Sequence, residues 1–461
     1  WSSEEPNLYT MVISIKDKNG NVTEAKSCKV GFRSIEFSKE NGKMLINGKE
    51  TYVYGVNRHD HHPTRGKAVT REDIKQDITT IKKFNFNFIR TSHYPNDPYS
   101  HPVLGGSEAS GFSQASYGGY KKDAPDAMRL GAIAKRLVSA VKKYDKSRPT
   151  TAGLAGVAMS NETEYPGALD ITGYNYTESK YQTDHAKYPK RVIYGSENVH
   201  DMEPWLAVKN IKFIFGQFLW TGIDYLGESG RWPSRGFYSG LVDFAGQIKP
   251  RGYFRQSLWS DTPMIYIGTY LSRNPNKKDL SMDAWPIWNY KEDQTVKVVC
   301  YTNASKAHLE LNGKVVGETK LYDEKTGIMY WDIPFASGKL EVVGLDKNDK
   351  EVSRYAINTT QQPIELTIDN KNITISKDKG VAKIMVQVKD QNGLPVMLSD
   401  NEVTCTISGP GTLLGLEAGN NSDMTDYTDN VQRVFHGHIA AYIQASGDKA
   451  EPIKVKFTSQ W

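Results

Sequence analysis

The chain has 461 residues, 38% of them hydrophobic, and its 58 Lys and Arg against 53 Asp and Glu leave a net charge of +5. That length admits two to four domains at roughly 100–200 residues each, and no run of about 18 apolar residues is present that could cross a membrane as a helix. The positive charge is small and dispersed, which argues against nucleic acid as a partner.

The chain starts WSSEEPNLYTMVISIKDKNG, without an initial Met and without the basic and apolar segments of a signal peptide. A strand pattern begins almost at once, as in the tail of a domain whose beginning lies upstream. Residues 8–36 alternate around Asp-Lys-Asn-Gly, which predicts a hairpin of the kind that closes an immunoglobulin-like sandwich. TYVYGVNRH then reads as a strand rich in β-branched and aromatic residues. At Thr70 the period changes: Thr70 is a predicted N-cap, Glu72 and Asp73 fall in the first turn, and Ile74, Ile78, Ile81 and Phe84 are spaced helically.

NFIRTSHYP is again a strand, and DAPDAMRLGAIAKRLVSAVKKYDKSRP an amphipathic helix stopped before Pro149. ALDITGYNY, KRVIYGSE and KFIFGQFLWTG are short, nearly continuous apolar strands, with Gly195 and Ser196 expected to turn the backbone after Tyr194. Apolar strands alternating with helices predict a parallel sheet covered by helices, and a (β/α)8 barrel is the natural candidate. After YFRQSLW the helical period vanishes. Residues 262–461 are strands separated by turn signals such as LNGKVVGE and KDQNGLPV, which predict two β-sandwiches meeting near residues 358–366. The expected domains are therefore a sandwich tail (1–38), a barrel (39–261) and sandwiches at 262–360 and 361–461.

Tyr (26) and Trp (9) together outnumber Phe (15), a balance that suits sandwich cores and sugar stacking alike. Cys28, Cys300 and Cys405 are far apart and odd in number, so no metal spacing or disulfide framework follows and at most one pair could form. Cys28 and Cys300 sit in alternating strands and are expected to be buried thiols.

Polar residues gather where these strands end. The first offers Asn57, Arg58, His59, Asp60, His61 and His62; the second Arg90, His93, Tyr94 and Asn96; later segments add Glu108, Asn175, Tyr176, Glu197, His200, Trp220, Asp224 and Glu228. The run HDHHP lacks a distant Cys or His pair that would complete a zinc site. Arg58 and Arg90 have a plain alternative as partners of carboxylates, and Trp220 as core. Taken together, the set matches what a cyclic polyol needs: an aromatic plate for the apolar ring face and His, Asn and Arg for the hydroxyls. Two carboxylates could then cleave a glycosidic bond.

GVNRHDHHP, RTSHYPNDP, YGSEN, GQFLWTGIDYLGE and YFRQSLW resemble glycoside hydrolase family 2, and within it the β-galactosidase branch, over roughly residues 1–260. The resemblance implies a retaining exo-β-galactosidase acting on terminal β-galactosides of oligo- or polysaccharides. In it Glu197 is the nucleophile and Glu108 the general acid/base, their carboxyl groups about 5–5.5 Å apart. It further implies that Tyr176 hydrogen-bonds the nucleophile, that Trp220 stacks on the sugar, and that His59 and His93 hold its hydroxyls. Asn57, Arg90 and Asn175 complete the expected substrate-binding set. No cofactor and no metal are expected. A homo-oligomer and a periplasmic or extracytoplasmic bacterial location are compatible with the resemblance.

The match fails at one place. Only nine residues, YSHPVLGGS, separate Pro98 from Glu108, too few for the two βα units the family places there, since one parallel crossover needs a dozen. Ser107 stands where the family has Asn. A deletion near residues 98–108 and an incomplete barrel are therefore expected. Two alternatives remain: another family 2 exo-β-glycosidase acting on algal galactan or β-glucuronides, or a truncated, non-catalytic carbohydrate-binding remnant. The glucuronidase branch uses an Asn-x-Lys pair that VDFAGQIKPRGYF lacks.

Overall fold

A computed structural model of the chain describes residues 1–2, 5–38, 41–93, 129–273, 279–447 and 450–461. Strands β1 (Tyr9–Lys16) and β2 (Val22–Val30) form the expected hairpin, with Tyr9 opposite Val30. Its turn is built by Asp17, whose Oδ1 accepts from the backbone N–H groups of Asn19 (2.8 Å) and Asn21 (2.9 Å), while Gly20 takes φ +86°. Such a left-handed residue costs Gly nothing. Both faces of the hairpin are exposed, so Cys28 is exposed too, against the expectation of a buried thiol. Cys300 and Cys405 are buried, and all three cysteines are free.

The short strands β3 (Ile35–Phe37), β4 (Met44–Ile46) and β5 (Lys49–Glu50) make a small antiparallel sheet. The alternation of strand and helix then begins with β6 (Val53–His59), α1 (Arg71–Lys82) and β7 (Phe88–Ser92). It resumes at α2 (Arg129–Tyr144), β8 (Thr151–Leu154), α3 (Val157–Asn161), β9 (Ile171–Asn175), α4 (Tyr181–Lys187), β10 (Val192–Asn198), α5 (Met202–Asn210) and β11 (Ile214–Leu219). The two-residue strands β12 (Tyr225–Leu226) and β13 (Gly236–Phe237) pair with each other, and α6 (Pro250–Trp259) ends the segment. Among the described residues, β6 to β11 form one six-stranded sheet, part of a barrel of the (β/α)8 type.

The described residues fall into two compact units, 1–55, 129–199 and 204–218 in the first, 56–93, 200–203 and 219–461 in the second. In the first unit β8, β9, β10 and β11 are neighbours in that order, and the two pairings of β9 are parallel, with Thr151 and Val192 both beside Ile171. Leu154, Tyr174, Ile193 and Ile214 form its core with Val208 of α5 and Tyr181 of α4. Burial on both faces explains the continuous apolar runs in the sequence.

Here the expected turn at Gly195 and Ser196 is not found: β10 continues through them to Asn198, with an irregularity of pairing after Gly195. Gly195 serves close approach instead. A Cβ on it would lie 2.8 Å from Asn198 Cγ and 2.9 Å from the Tyr181 hydroxyl. Likewise a Cβ on Gly173 would lie 2.6 Å from Ser196 Cβ and 3.1 Å from the Ala152 carbonyl oxygen. Gly173→Ala is therefore expected to destabilise the chain by about 1–3 kcal/mol. Denaturant midpoints of the two proteins test this; an unchanged midpoint would mean that Ser196 moves aside freely.

In the second unit α1 carries a complete capping box. The Thr70 hydroxyl accepts from Asp73 N (3.2 Å), and the Asp73 carboxylate accepts from Thr70 N (2.7 Å), satisfying two donors that the helix leaves unpaired. Ile74 and Ile81 are buried as their spacing requires, but Ile78 is exposed, because the buried stripe of α1 is narrower than its apolar pattern. The end of β6 neighbours β7.

Beyond α6 come only strands. β14 (Ile265–Leu271), β15 (Thr295–Thr302), β16 (Lys306–Leu311), β17 (Lys314–Leu321), β18 (Ile328–Pro334), β19 (Lys339–Leu345) and β20 (Glu351–Asn358) form two antiparallel sheets, ordered β14-β15-β18 and β17-β16-β19-β20. Val298 and Trp331 of one sheet and Leu309 and Val342 of the other share a single core, which makes this a sandwich. A second follows, from β21 (Pro363–Ile368), β22 (Val381–Asp390), β23 (Glu402–Ser408), β24 (Gly411–Glu417), β25 (Val431–Arg433), β26 (His438–Ala445) and β27 (Lys454–Ser459). Its sheets, β21-β22-β26-β24 and β25-β23-β27, pack over Val386, Ile439, Val403 and Cys405. No described helix is long and apolar enough to cross a membrane.

Candidate active site

In the first unit a group of candidate residues sits at the C-terminal ends of β9 and β10. Glu197 is 7% exposed and lies in register with Asn175 of the neighbouring parallel strand, next to an irregularity of pairing after Gly195. The Ser196 hydroxyl donates to Asn175 Oδ1 (2.6 Å), and the Asn198 amide donates to the Glu178 carboxylate. Tyr176 donates its backbone N–H to the Glu197 carbonyl oxygen (2.8 Å) and sits at φ +50° with its side chain half exposed. A tyrosine in the left-handed region is costly and persists where surrounding contacts over-determine it. Three of the expected site residues, Asn175, Tyr176 and Glu197, thus come together here.

In the second unit the ends of β6, β7 and β11 bring together Asn57, His59, Arg90, His93 and Trp220. Asn57 is fully buried and used at both ends of its amide: Nδ2 donates to the Leu219 carbonyl (3.2 Å), while Oδ1 accepts from Arg90 and from the Ser92 hydroxyl (3.1 Å). Arg90 thereby holds Asn57 in place. His59 stacks on Tyr225 with ring centres 3.9 Å apart and meets Trp220 edge-on at 5.2 Å. His93 lies 5.1 Å from the Trp220 ring, with its Nε2 3.9 Å from a Glu228 carboxylate oxygen. Glu228 also accepts from the Tyr225 hydroxyl (2.5 Å). The cluster is an aromatic wall with imidazole edges.

Those imidazoles are neutral. Burial first, and then the neighbouring His93, His61, Lys67 and Arg90, push His59 down to about 3. Burial also lowers His61 and His93. A neutral imidazole both donates and accepts, which suits hydroxyl groups and leaves proton donation to a carboxyl group. The HDHHP run is accordingly divided among separate tasks. The His61 Nδ1 accepts from Leu226 N (2.9 Å), His62 bonds Thr64, and Asp60 pairs with Arg58, whose guanidinium also donates to Asp77 (2.7 and 2.9 Å). Among the described residues no group of three or more His, Cys, Asp or Glu is placed to hold a metal.

These depressed imidazoles make stability depend on pH. Burial pushes His62 and His436 down to about 4 as well. An unfolded histidine binds a proton near 6.5, so between that value and about 4 the unfolded chain takes up protons that the native one refuses. Stability is therefore expected to fall as the pH drops from 7 to 5, by on the order of 1 kcal/mol per pH unit for each such histidine. Thermal unfolding midpoints across that range test it. A midpoint rising on acidification would show that these rings are protonated in the fold.

Two residues the sequence reading passed over matter here. Tyr225 is the plate under His59; in GQFLWTGIDYLGE it lies between Asp224 and Glu228, and nothing local marks it as the partner of a histidine far back in the chain. Lys249 is 1% exposed and donates to both oxygens of the equally buried Asp224 (2.8 and 3.0 Å), above the Tyr238 ring. Only a partner distant in sequence explains a buried lysine, so no local signal marks it. His200 is buried and held well below its ordinary value by burial and the nearby Arg251. Glu108, Tyr94, Asn96 and the deletion expected near 98–108 lie outside the described residues.

The second sandwich reaches this region. Asn421 accepts from Gly236 N (3.0 Å) through Oδ1, donates to the Ser234 hydroxyl (3.0 Å) and accepts from Arg235 N (3.1 Å) through its carbonyl. Glu417 pairs with the Arg235 guanidinium. The segment after Glu228 is thus tied down by the C-terminal sandwich.

Part of a (β/α)8-type barrel with polar and aromatic side chains at its strand ends, followed by two sandwiches, defines a class of multidomain barrel proteins. The models of known families narrow that class. Residues 37–103 match "Glycosyl hydrolases family 2, TIM barrel domain", residues 1–33 match "Glycosyl hydrolases family 2", and residues 364–460 match "Glycoside hydrolase family 2 C-terminal domain 5". Residues 293–353 match a domain of unknown function. The chain belongs to glycoside hydrolase family 2.

Among its relatives, a β-galactosidase of Bacteroides ovatus is 25% identical over 582 residues, covering all of this chain and 65% of that protein. The chain thus spans slightly less than two thirds of that relative's length. A β-galactosidase of Priestia megaterium is 53% identical over 98 residues, 21% of this chain and 9% of that one. Among solved structures, a family 2 member from Bacteroides cellulosilyticus covers the whole chain with a TM-score of 0.87 at 24% identity, using 67% of its own length. A β-glycosidase from Bacteroides vulgatus does so with 0.82 at 23%, using 69%. At these identities the structural likeness speaks for the fold.

Proposed function

We propose that the chain acts as a retaining exo-β-galactosidase that removes terminal β-galactose from oligo- or polysaccharides. The observation that carries the reading is Glu197, a buried carboxylate held at the end of a parallel barrel strand beside Asn175 and Tyr176. In the first step a Glu197 carboxylate oxygen attacks the anomeric carbon while Glu108 gives its proton to the departing oxygen. A covalent glycosyl-enzyme results. In the second step Glu108 takes a proton from water, the oxygen of that water displaces Glu197, and the sugar leaves with its configuration retained. Trp220 supplies an apolar face, and the neutral rings of His59 and His93 supply hydrogen bonds to hydroxyls. Asn57, fully buried with both ends of its amide used, holds the strand ends together with Arg90 and does not itself reach the sugar.

A uronate substrate is disfavoured by two ion pairs. In the stretch where the glucuronidase branch carries its Asn-x-Lys pair, Lys249 is committed to Asp224, and Arg251 is committed to Asp283 through two hydrogen bonds of 2.6 Å. Neither cation is left for a sugar carboxylate. Turnover of matched aryl β-galactoside and aryl β-glucuronide substrates tests this. The galactoside is expected to be cleaved and the glucuronide not. Faster cleavage of the glucuronide would overturn the sugar assignment, and binding of galactose without turnover of either would favour a carbohydrate-binding remnant.

A further inference from the structure

A cavity of about 260 Å³ lies between α6, the first sandwich and the second, and none of its lining residues belongs to the cluster around Trp220. Ligand pockets usually measure about 300–1,000 Å³, so this one has room for a single ring rather than a chain. Its walls carry aromatic rings: Tyr253 and Tyr355, with Trp285 stacked on His436 at 3.6 Å. Tyr253 in turn stacks on Tyr266 at 4.4 Å, which holds both rings rigid.

The polar groups of the cavity divide into spent and unspent. Asn289 is used by Thr360 (2.8 and 3.1 Å), Gln387 by the Gly437 carbonyl (2.7 Å), and His438 faces Asp243 (3.3 Å). The hydroxyls of Tyr253 and Tyr355, the side-chain amides of Gln247 and Asn358, and the Trp285 indole N–H make no hydrogen bond to another described residue. Burial keeps both phenols protonated and able to donate. No Asp, Glu, Lys or Arg lines the cavity.

Unspent amides and hydroxyls set among aromatic faces, with no formal charge, are complementary to a neutral ring that is apolar on its faces and hydroxylated at its rim. We propose that this cavity is a second saccharide site, taking one neutral pyranose unit away from the strand-end site. Its chemistry does not depend on the hydrolase reading: it would hold equally for a chain that cleaves nothing. A carboxylated sugar is rejected because its charge would be desolvated with no cation to pair it.

Ligand-observed NMR titration with methyl β-galactoside and with glucuronic acid, on the whole chain, tests the proposal. Binding of the galactoside is expected to persist in Trp220→Ala and, in that background, to weaken about tenfold or more on adding Trp285→Ala, about 1.4 kcal/mol per tenfold. Should Trp285→Ala fail to fold, Asn358→Leu, at the rim of β20, is expected to weaken binding in the same direction. Glucuronic acid is expected to bind at least tenfold more weakly than the galactoside. Binding abolished by Trp220→Ala alone, binding unchanged in both cavity variants, equal affinity for glucuronic acid, or no binding at all would each overturn the proposal.

Discussion

Glu197→Gln is expected to reduce turnover of an aryl β-galactoside by a factor on the order of 10⁴ or more, with little change in stability. Removing a nucleophile that acts as a unit with its acid partner removes most of the chemical acceleration, whatever else remains in place. Glutamine has the size and shape of glutamate and keeps one carbonyl oxygen, so the buried position at the end of β10 stays filled. It lacks the negative charge and nucleophilicity needed to form the glycosyl ester. An unchanged rate in a folded variant would remove Glu197 from the mechanism. A folded variant is recognised by an unfolding midpoint close to that of the parent.

Lys249→Met carries the largest expected loss of stability. Burial pushes the Asp224 carboxyl up and the Lys249 ammonium down, and each holds the other charged at 2.8–3.0 Å. Taking away one member of such a pair costs about 3–5 kcal/mol, because the remaining charge is buried without a partner. Asp224 would then bind a proton more tightly in the native state than in the unfolded one. The native variant keeps that proton where the parent's Asp224, pushed up to about 7, gives it up, so the deficit is expected to grow as the pH rises through about 7. The double variant Asp224→Asn, Lys249→Met removes both charges and is expected to recover part of the loss. Denaturant unfolding at pH 5 and pH 8 measures both effects. A loss below about 1 kcal/mol at both values would show that water reaches the pair.

What could be read in the sequence divides along physical lines. The Thr70 N-cap of α1 and the Asp17 turn are local, since every atom that makes them lies within four residues, and both are found as expected. The apolar runs of β9, β10 and β11 follow from burial on both faces and are equally visible. β8 was not visible: TAGL offers one β-branched residue and two of the smallest side chains. It is a strand because β9 lies beside it, and a single sequence carries no mark of that. The reading of Gly195 failed for a related reason. A glycine before a polar residue looks like a turn, yet here it makes room for Asn198 and Tyr181, one of them fourteen residues away.

The site divides in the same way. Glu197, Asn175, His59, His93 and Trp220 stand at strand ends, which a strand pattern locates. Tyr225, Lys249 and Asn421 act through contacts that cross the chain by 25 to 187 residues. Arg90 illustrates the middle ground. Its place at the end of β7 is legible, but its bond to Asn57 makes it a positioning residue, which only the fold reveals.

The most direct measurement is the mass of the protein after reaction with a 2-deoxy-2-fluoro-β-galactosyl donor bearing a good leaving group. The fluorine slows hydrolysis of the glycosyl ester, so a retaining nucleophile remains labelled. One added fluorogalactosyl group is expected, and peptide mapping is expected to find it on Glu197. Continued turnover of substrate with no adduct, or an adduct on a different carboxylate, would contradict the assignment.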